Sequence, residues 1–364
     1  MQETEHIKSS VENGIGWIVL NRPSALNALT LDMIRTMDTV LQGFENDKNV
    51  RLVIVTSTSD KAFCAGGDVK SVALAVKNGA ADKDTKNLPA RLFAAEYKLN
   101  ARIKRFSKLY ISFIDGICMG GGMGISVHGN HRIVTGRSVF AMPEVHIGFF
   151  PDVGSGSALN DLKGEIGTYL GITGSRINGA DMLKCGLATH YIDQDGIAPL
   201  LENLKTADWK RSDPTSIANA ILANYCEEGN DVSSALEPHF TDINRIFALN
   251  DPQKIMAELE KETASWAGEA LGNMQKACPL SVRLTLAHLR AMRDKSFESV
   301  MRNEYRLAMY FTDQPDFYEG IRAMLIDKDY APQWSVGYED IGDDIYRSAL
   351  ATYKGKDLKF DSDE

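Results

Sequence analysis

Residues 116–135 read GICMGGGMGISVHGNHRIVT, and this stretch decides the fold. An apolar run at 110–114 leads into it, glycines follow at 120–122, and a β-branched run at 132–135 closes it. Short apolar runs bounded by glycines are typical of buried strands, so the stretch predicts a strand, a glycine turn, a helix and another strand. This β/α alternation predicts βαβ-type units around a mostly parallel sheet.

A second glycine turn lies upstream. Residues 61–70 read KAFCAGGDVK and follow a β-branched strand at 52–55. Each turn follows a strand and precedes a helix: Gly67 lies at the mouth of one helix, and Gly121 begins another that runs to Val127. Such turns expose backbone N–H groups, and two that converge form an oxyanion hole. Spacing alone favours two tight turns that bind no ligand, but it leaves an oxyanion hole as the alternative.

The pattern changes at about residue 195. A last strand is predicted at 190–192, and strand signals almost vanish after it. We therefore expect an α/β core at 1–195 and a helical C-terminal region at 196–364 that packs on the core. The helices of that region are predicted at 196–207, 214–224, 253–264, 279–293, 297–310 and 315–327.

The composition narrows the class of protein. The 364 residues are 44% hydrophobic and 24% charged, which is ordinary for a globular chain. A net charge of −9 makes nucleic acid and anionic membrane surfaces poor generic partners. Five cysteines without a C-x-x-C pair favour a reducing compartment, and the N-terminus lacks the features of a signal peptide. The apolar stretch 109–127 contains Asp115 and five glycines, which favours a buried strand and helix over a membrane span.

One acidic residue stands out on a predicted helix. Glu96 lies four residues after Leu92 and three before Leu99, so it falls on the apolar face of that helix. A carboxylate directed inward is costly unless it has a partner. Glu96 is therefore either a helix-edge or Arg-paired residue, or a functional group.

Two further carboxylates lie in AMPEVHIGFFPDVGSG, residues 141–156. Glu144 and Asp152 are eight residues apart and separated by apolar residues. Burial beside a second carboxylate raises an acid's pKa toward the range of a general acid, a base or a nucleophile. An ion pair or a turn cap is the alternative for each. No G-x-S-x-G, G-x-x-x-x-G-K-[ST], G-x-G-x-x-G or H-E-x-x-H motif is present, and no metal is expected.

These motifs together resemble the crotonase (enoyl-CoA hydratase/isomerase) superfamily. The resemblance rests on NRPSALNAL at 21–29, KAFCAGGD at 61–68, the 116–135 stretch, and FAMPEVHIGFFPDVG at 140–154. Within the superfamily, SVHGNHR, AMPE and FPDVG resemble the 3-hydroxyisobutyryl-CoA hydrolase branch, as does DFYEGIRAMLIDKDYAPQW at 316–334. Ser155 departs from the glycine usual in that branch, and only a local change is expected there.

The resemblance implies a ββα spiral core with a helical C-terminal region, and an acyl-CoA thioester as substrate. Two backbone N–H groups polarise the thioester carbonyl in this family, and the matching positions are Gly67 and Gly121. The acidic residues implied to bind or act on the acyl group are Glu96, Glu144 and Asp152. The residues implied to contact CoA are Leu26, Ala65, Gly66, Gly67, Asp68 and Lys70.

The branch implies hydrolysis of 3-hydroxyisobutyryl-CoA to 3-hydroxyisobutyrate and CoA, a step of valine degradation. Glu144 would attack the carbonyl to form a mixed anhydride, or would activate water. Asp152 would orient that water or bind the β-hydroxyl, and Glu96 would bind the hydroxyl or position Glu144. The sequence does not separate these roles.

Two other functions compete with hydrolysis. An enoyl-CoA hydratase or isomerase would also use Glu144, but Gly124 stands where two-glutamate hydratases carry their first carboxylate. A non-catalytic crotonase-like subunit is the second alternative, because a fold does not imply activity. We expect no cofactor other than the CoA of the substrate. A homo-oligomer is compatible with the resemblance. The expected location is the cytoplasm, with a mature mitochondrial matrix form as the alternative.

Overall fold

The computed structural model describes residues 5–77, 88–226 and 232–360. The chain divides into two compact units, each assembled from segments that are far apart in sequence. The sheet unit comprises Met1–Gly67, Leu99–Phe140 and Ile177–Glu237. The helical unit comprises Asp68–Lys98, Ala141–Arg176 and Pro238–Glu364. The domain boundary expected at residue 195 stays a prediction.

The strands belong to two sheets. In chain order they are β1 (Ile7–Glu12), β2 (Ile15–Leu20), β3 (Leu52–Ser57), β4 (Ala62–Cys64), β5 (Leu109–Ile114), β6 (Ile117–Met119), β7 (His131–Val134), β8 (Val139–Ala141), β9 (Ile177–Asn178) and β10 (His190–Tyr191). The larger sheet has the order β1-β2-β3-β5-β7-β10, and the smaller one β4-β6-β8-β9. In the larger sheet only β1 and β2 pair antiparallel. The predicted mostly parallel sheet is confirmed.

The helices connect and cover these strands. In chain order they are α1 (Leu31–Asn46), α2 (Val69–Lys77), α3 (Leu88–Arg105), α4 (Gly121–Gly124), α5 (Ser155–Ala158), α6 (Ile166–Thr173), α7 (Gly179–Cys185), α8 (Ile197–Thr206), α9 (Pro214–Leu222), α10 (Phe240–Phe247), α11 (Pro252–Leu259), α12 (Ser265–Lys276), α13 (Pro279–Met292), α14 (Phe297–Thr312), α15 (Pro315–Ile321) and α16 (Ile345–Thr352). Short 3₁₀ turns occur at Pro23–Ala25, Glu144–Ile147, Gln194–Gly196, Glu237–His239 and Tyr338–Asp340, and a π turn occurs at Arg322–Ile326.

The helix predicted after the 116–135 glycine run is shorter than expected. It ends as regular helix at Gly124 rather than at Val127. The Ser126 hydroxyl donates to the Gly122 carbonyl at 2.6 Å, which is the acceptor that the Ser126 N–H would use in a continuing helix. Serine side chains compete with the backbone in this way and so favour helix ends.

The C-terminal helices confirm the predicted periodicity with one correction. The pattern at 253–264 predicts a single helix, whereas α11 ends at Leu259 and α12 begins at Ser265. The chain turns between them, where the Glu262 N–H donates to the Leu259 carbonyl at 3.1 Å. Helices α10, α12 and α16 lie outside the predicted ranges.

The core of the sheet unit lies between the larger sheet and helices α8 and α9. Strands that are buried on both faces read as continuous apolar runs, as LVIV in β3 and LYISFI in β5 do. The buried residues of this core are Ile15, Trp17, Leu52, Ile54, Leu109, Ile111, Phe113, Ile133, Ile192, Leu200, Leu204, Trp209, Ala218 and Leu222.

The helical unit has an aromatic core of its own. The rings of Phe93 and Phe149 stack with centroids 5.3 Å apart, and those of Phe150 and Phe311 stack at 5.4 Å. Phe317 packs against Phe149 at 5.5 Å. This core therefore fixes the segment at 149–150 against α3, α14 and α15.

The apolar stretch at 109–127 forms β5, β6 and α4. Across the described ranges, no helix has both the length and the apolar character that crossing a bilayer requires.

Gly122 makes a close backbone approach that an alanine cannot make. A Cβ at this position would lie 2.4 Å from the Cys64 carbonyl oxygen, and a backbone atom cannot turn away. We expect Gly122→Ala to lower the free energy of unfolding by about 1–3 kcal/mol or more, because overpacking displaces backbone. Urea unfolding of the purified variants measures the change.

Gly43→Ala in α1 is the matched control. A Cβ there meets nothing within 4 Å, and alanine favours a helix interior by up to about 1 kcal/mol over glycine. This variant should match or exceed the wild type in stability. Equal stability of the two variants would contradict the packing argument.

Candidate active site

The two glycine turns lie next to each other in the sheet unit. They follow β4 and β6, which are parallel neighbours and therefore end at the same sheet edge. A Cβ on Gly66 would lie 3.5 Å from the Met119 carbonyl oxygen and 3.8 Å from the Gly121 nitrogen. A Cβ on Gly122 would collide with the Cys64 carbonyl oxygen. Glycine is thus required for the turns to approach this closely.

The fold leaves two N–H groups of these turns unused. In the part of the chain that the structure describes, neither Gly67 nor Gly121 donates a backbone hydrogen bond. Gly67 forms a bridge with Leu29, but the bond there runs from the Leu29 N–H to the Gly66 carbonyl at 2.8 Å. Gly121 is the first residue of α4, where N–H groups have no partner within the helix. Unused donors on adjacent turns are what an oxyanion hole requires.

Leu26 lies in a left-handed turn that contacts the glycine turn at 65–67. Leu26 and Asn27 have φ values of +50° and +57°, and the buried Asn27 side chain holds this turn in place. Its Nδ2 donates to the Ser57 hydroxyl at 2.6 Å and to the Phe63 carbonyl at 2.9 Å. The Ala65 N–H donates to the Leu26 carbonyl at 3.0 Å, so Ala65 has only its carbonyl to offer a ligand.

Asp68 and Lys70 belong to the helical unit. Asp68 precedes α2, and its Oδ1 accepts the Ser71 N–H at 3.2 Å. Lys70 is solvent-exposed in the first turn of α2. Asp68 therefore caps its helix, and Lys70 is free to meet an anion in solvent.

Glu96 points inward from α3, as its position on the apolar face predicts. It is 2% exposed, and burial raises its pKa to about 7. Its Oε1 is buried without a hydrogen-bond partner among the described residues. The helix-edge and Arg-paired interpretations of Glu96 are wrong, because the residue is neither exposed nor ion-paired there.

Glu144 begins the 3₁₀ turn Glu144–Ile147 in the helical unit. Burial, helped by the charge of the Glu96 carboxyl, raises its pKa to about 8 against the lowering effect of a bond from its own backbone. Its Oε2 is also buried without a partner in the described chain. The turn ends at Gly148, whose φ is +66° and where a Cβ would lie 2.1 Å from the Asp316 carbonyl oxygen. Glycine there lets the turn pack directly against α15.

Asp152 completes the buried carboxyl cluster, defined as Glu96, Glu144 and Asp152. The Tyr97 hydroxyl donates to its Oδ2 at 2.6 Å. Burial and then the charges of Glu96 and Glu144 raise the pKa of Asp152 well above its ordinary value, against the lowering effect of the Tyr97 bond. The ion-pair alternative for Asp152 finds no support, since no Lys or Arg of the described residues lies within ion-pair distance.

Two members of this site were not found from the sequence. Tyr97 neighbours Glu96 in α3 but contacts Asp152 across 55 positions of sequence. Glu304 in α14 is fully buried and accepts the N–H groups of Gly154 and Gly156. The signal for Glu304 was the same as for Glu96, namely an acidic residue on the apolar face of a predicted helix.

The described residues contain no group of three or more His, Cys, Asp or Glu side chains arranged to hold a metal ion. All five cysteines are free. The polar groups described at the site are carboxyls, a phenol and backbone N–H groups.

Comparison with known proteins gives similarity over almost the whole chain. A family model described as enoyl-CoA hydratase/isomerase matches residues 15–349. The mitochondrial 3-hydroxyisobutyryl-CoA hydrolase of Rattus norvegicus is 38% identical over 98% of this chain and 92% of its own length. That of Gallus gallus is 39% identical over 96% and 89%. The crystal structure of a carnitinyl-CoA dehydratase from Mycobacterium thermoresistibile has a TM-score of 0.88 at 34% identity and covers 98% of this chain and 99% of its own.

The raised pKa of Glu144 makes stability depend on pH. Its pKa is about 8 in the folded chain and has the ordinary value of 4.5 in an unfolded one. Between these values the folded state holds a proton that the unfolded state has lost, so the contribution of Glu144 to stability is fully present below pH 4.5 and is lost as pH rises toward 8. We expect Glu144→Gln to remove a slope of up to about 1.4 kcal/mol per pH unit.

Urea unfolding at pH values from about 5 to 8, between the unfolded and folded pKa values of Glu144, measures this effect. The advantage of Glu144→Gln over the wild type should grow as pH rises. Glu202→Gln, which changes an exposed glutamate, is the control and should run parallel to the wild type. A constant difference between Glu144→Gln and the wild type at every pH would contradict the prediction.

Proposed function

The chain belongs to the enoyl-CoA hydratase/isomerase family, and we propose that it hydrolyses 3-hydroxyisobutyryl-CoA to 3-hydroxyisobutyrate and CoA. The observation that carries the proposal is the presence of Asp152 beside Glu144 in one buried carboxyl cluster. The near-complete similarity to relatives named as 3-hydroxyisobutyryl-CoA hydrolases supports it. The activity would serve valine degradation.

The thioester carbonyl would accept hydrogen bonds from the N–H groups of Gly67 and Gly121. Attack on a thioester places negative charge on this oxygen, and fixed donors stabilise that charge without reorganising. The adjacency of the two turns and their unused N–H groups support this role.

Glu144 would supply the carboxylate that cleaves the thioester. In one route its oxygen attacks the carbonyl carbon, the C–S bond breaks, CoA leaves as the thiolate and takes up a proton, and water hydrolyses the resulting anhydride. In the other route Glu144 takes a proton from a water that attacks directly. Both routes require ionised Glu144, so its pKa of about 8 sets the pH at which either begins.

The acyl group would complete the bonding of the cluster. Buried polar atoms are nearly always hydrogen-bonded, yet Glu96 Oε1 and Glu144 Oε2 have no partner among the described residues. A β-hydroxyl brings both a donor and an acceptor to such atoms. Burial raises the pKa of Asp152, and in its protonated form Asp152 would donate to that hydroxyl or to the attacking water while Tyr97 holds its other oxygen.

The CoA moiety would bind along residues 65–70. The exposed Lys70 offers a positive charge to a phosphate, and the Ala65 carbonyl offers an acceptor to the adenine amino group. The residues that would line this path are Leu26, Ala65, Gly66, Gly67, Asp68 and Lys70.

Hydration of an enoyl-CoA is the second candidate, favoured by the similarity to a structure described as a carnitinyl-CoA dehydratase. It would use Glu144 alone, since Gly124 provides no side chain. Asp152 has no function in that reaction, which is why hydrolysis is preferred. A non-catalytic role would leave the unpartnered carboxyl oxygens without a purpose.

The cysteines and the named relatives bear on the compartment in which the enzyme works. We propose a reducing compartment, because the five cysteines are free, and the matrix form agrees with the mitochondrial names of the relatives better than the cytoplasm does. The reaction as proposed needs no cofactor beyond the CoA of its substrate. A homo-oligomer remains an expectation drawn from the resemblance.

CoA release from 3-hydroxyisobutyryl-CoA tests the function. We expect turnover by the wild type and a loss of about 100-fold or more in Glu144→Gln, which lacks the base or nucleophile. Glu202→Gln should retain full activity. Loss of absorbance from crotonyl-CoA, without CoA release from the hydroxyacyl thioester, would instead establish the hydratase.

The pH profile of kcat/KM tests the role of Glu144 separately. This parameter follows the pKa of groups in the free enzyme, so it should rise with pH and level off above about 8. Glu96→Gln removes a neighbouring charge that raises the Glu144 pKa, so the inflection should move to lower pH. A profile that falls through this range, or an inflection that Glu96→Gln moves upward, would count against the assignment.

A further inference from the structure

Glu304 is a buried carboxylate that contacts the turn directly after Asp152. Its Oε2 accepts the Gly154 N–H at 2.7 Å, and its Oε1 accepts the Gly156 N–H at 2.9 Å. The Ser155 hydroxyl lies 3.4 Å from Oε1. No Lys or Arg within the described ranges pairs with Glu304, so backbone N–H groups hold this charge.

The turn that Glu304 holds is strained. Val153 has a φ of +54° and Gly154 one of +86°. A β-branched residue at positive φ is a genuine outlier, and such a conformation costs about 1–3 kcal/mol unless the surroundings enforce it. The two N–H groups that Glu304 accepts belong to Gly154, directly after Val153, and to Gly156, in the first turn of α5. Glu304 therefore opposes the relaxation that Val153 favours.

A histidine in the preceding helix contacts Glu304. His288 in α13 is buried, with Nε2 3.4 Å from Glu304 Oε1 and Nδ1 3.2 Å from the Tyr346 hydroxyl of α16. A Cβ on Gly156 would lie 2.7 Å from His288 Nε2 and 3.3 Å from Glu304 Oε1. Glycine at 156 is what allows the carboxylate and the imidazole to reach the turn together.

We propose that Glu304 is a positioning residue for the hydrolysis: by holding the N–H groups of Gly154 and Gly156 it fixes the strained turn and thereby the direction of the Asp152 carboxyl. The proposal rests on the proposed function. Asp152 is then oriented from two sides, since Tyr97 binds its Oδ2 and Glu304 holds the main chain that follows it. Glu304 itself acts through the turn rather than on the substrate.

The charge of Glu304 also acts on its neighbours. It raises the pKa of Tyr97, of Asp152 and of Tyr346. The titratable groups that face Glu304 or the Asp152 carboxyl from the packed elements are Glu96 and Tyr97 of α3, Glu144, His288 of α13, and Tyr346 of α16. Removing the charge therefore changes the pH dependence of the site, whereas shortening the side chain changes only its reach.

Two variants of the full chain separate these effects. Glu304→Gln keeps the shape and removes the charge, and Glu304→Asp keeps the charge but is too short to reach both N–H groups. We expect kcat for 3-hydroxyisobutyryl-CoA to fall by about 10- to 100-fold in both, because a catalytic group displaced by about 1 Å costs this order of rate. KM should change by less than about threefold, since the thioester contacts are untouched. An infrared titration of the carboxyl groups should find a lower pKa for Asp152 in Glu304→Gln only, because the charge of Glu304 helps to raise that pKa.

Asp181→Asn is the matched control. Asp181 is likewise a buried carboxylate that accepts a backbone N–H, from Leu236 at 3.1 Å, and a serine hydroxyl, from Ser234 at 2.6 Å, but it lies in the sheet unit. This variant should lose thermal stability while kcat and the pKa of Asp152 stay at wild-type values.

Three outcomes overturn the inference. The first is a folded Glu304→Gln with wild-type kcat and a wild-type Asp152 pKa, and the second is an Asp181→Asn that loses kcat to the same extent. If Glu304→Gln does not fold, wild-type kcat in Glu304→Asp is the third. Failure of the wild type to release CoA is distinct from all of these, because it overturns the proposed function and this role with it.

Discussion

The candidate site depends on the burial of its carboxyl groups away from water. No basic side chain of the described residues offsets this burial. A charged carboxyl in an apolar interior is costly, so it holds its proton to higher pH. Burial is the largest cause of the raised pKa at Glu96, Glu144 and Asp152 alike. An arginine in ion-pair contact would reverse the effect and leave inert carboxylates. The pKa values of the cluster stay raised because no such partner is present among the described residues.

The aromatic core of the helical unit provides this exclusion of water. Phe149 and Phe150 lie in the segment that joins Glu144 to Asp152, and their rings stack on Phe93 and Phe311. The segment therefore cannot open to solvent without breaking the core of its unit. Hydrogen bonds from a phenol and from backbone N–H groups then orient the carboxyls without neutralising them. Orientation comes from these hydrogen bonds and the high pKa mainly from burial, although the Tyr97 bond also lowers the pKa of Asp152.

Much of this was predictable because it depends on residues close in sequence. Glycine turns between apolar runs specify parallel strands, and helical spacing places Glu96 inside, whatever the distant chain does. The contacts of Tyr97 and Glu304 were missed because their partners lie 55 and about 150 positions away. Helical spacing places Glu304 on a buried face, as it does Glu96, but it does not show which residues Glu304 contacts. The shortened α4 was missed for another reason, since the side chain of Ser126 takes a backbone acceptor that propensity assigns to the helix.

The same scaffold supports both addition to a double bond and cleavage of a thioester, so the fold does not decide the reaction. Hydration needs a proton donor and a base that act on the alkene. Gly124 provides no side chain at the position where the two-glutamate enzymes carry a carboxylate. Hydrolysis needs one base, a placed water and a stabilised oxyanion. In the proposed mechanism the Asp152 carboxyl, which Tyr97 and the strained turn at Val153 hold in direction, would place that water. We therefore attribute the proposed preference for hydrolysis to the way in which the backbone around Asp152 directs this carboxyl.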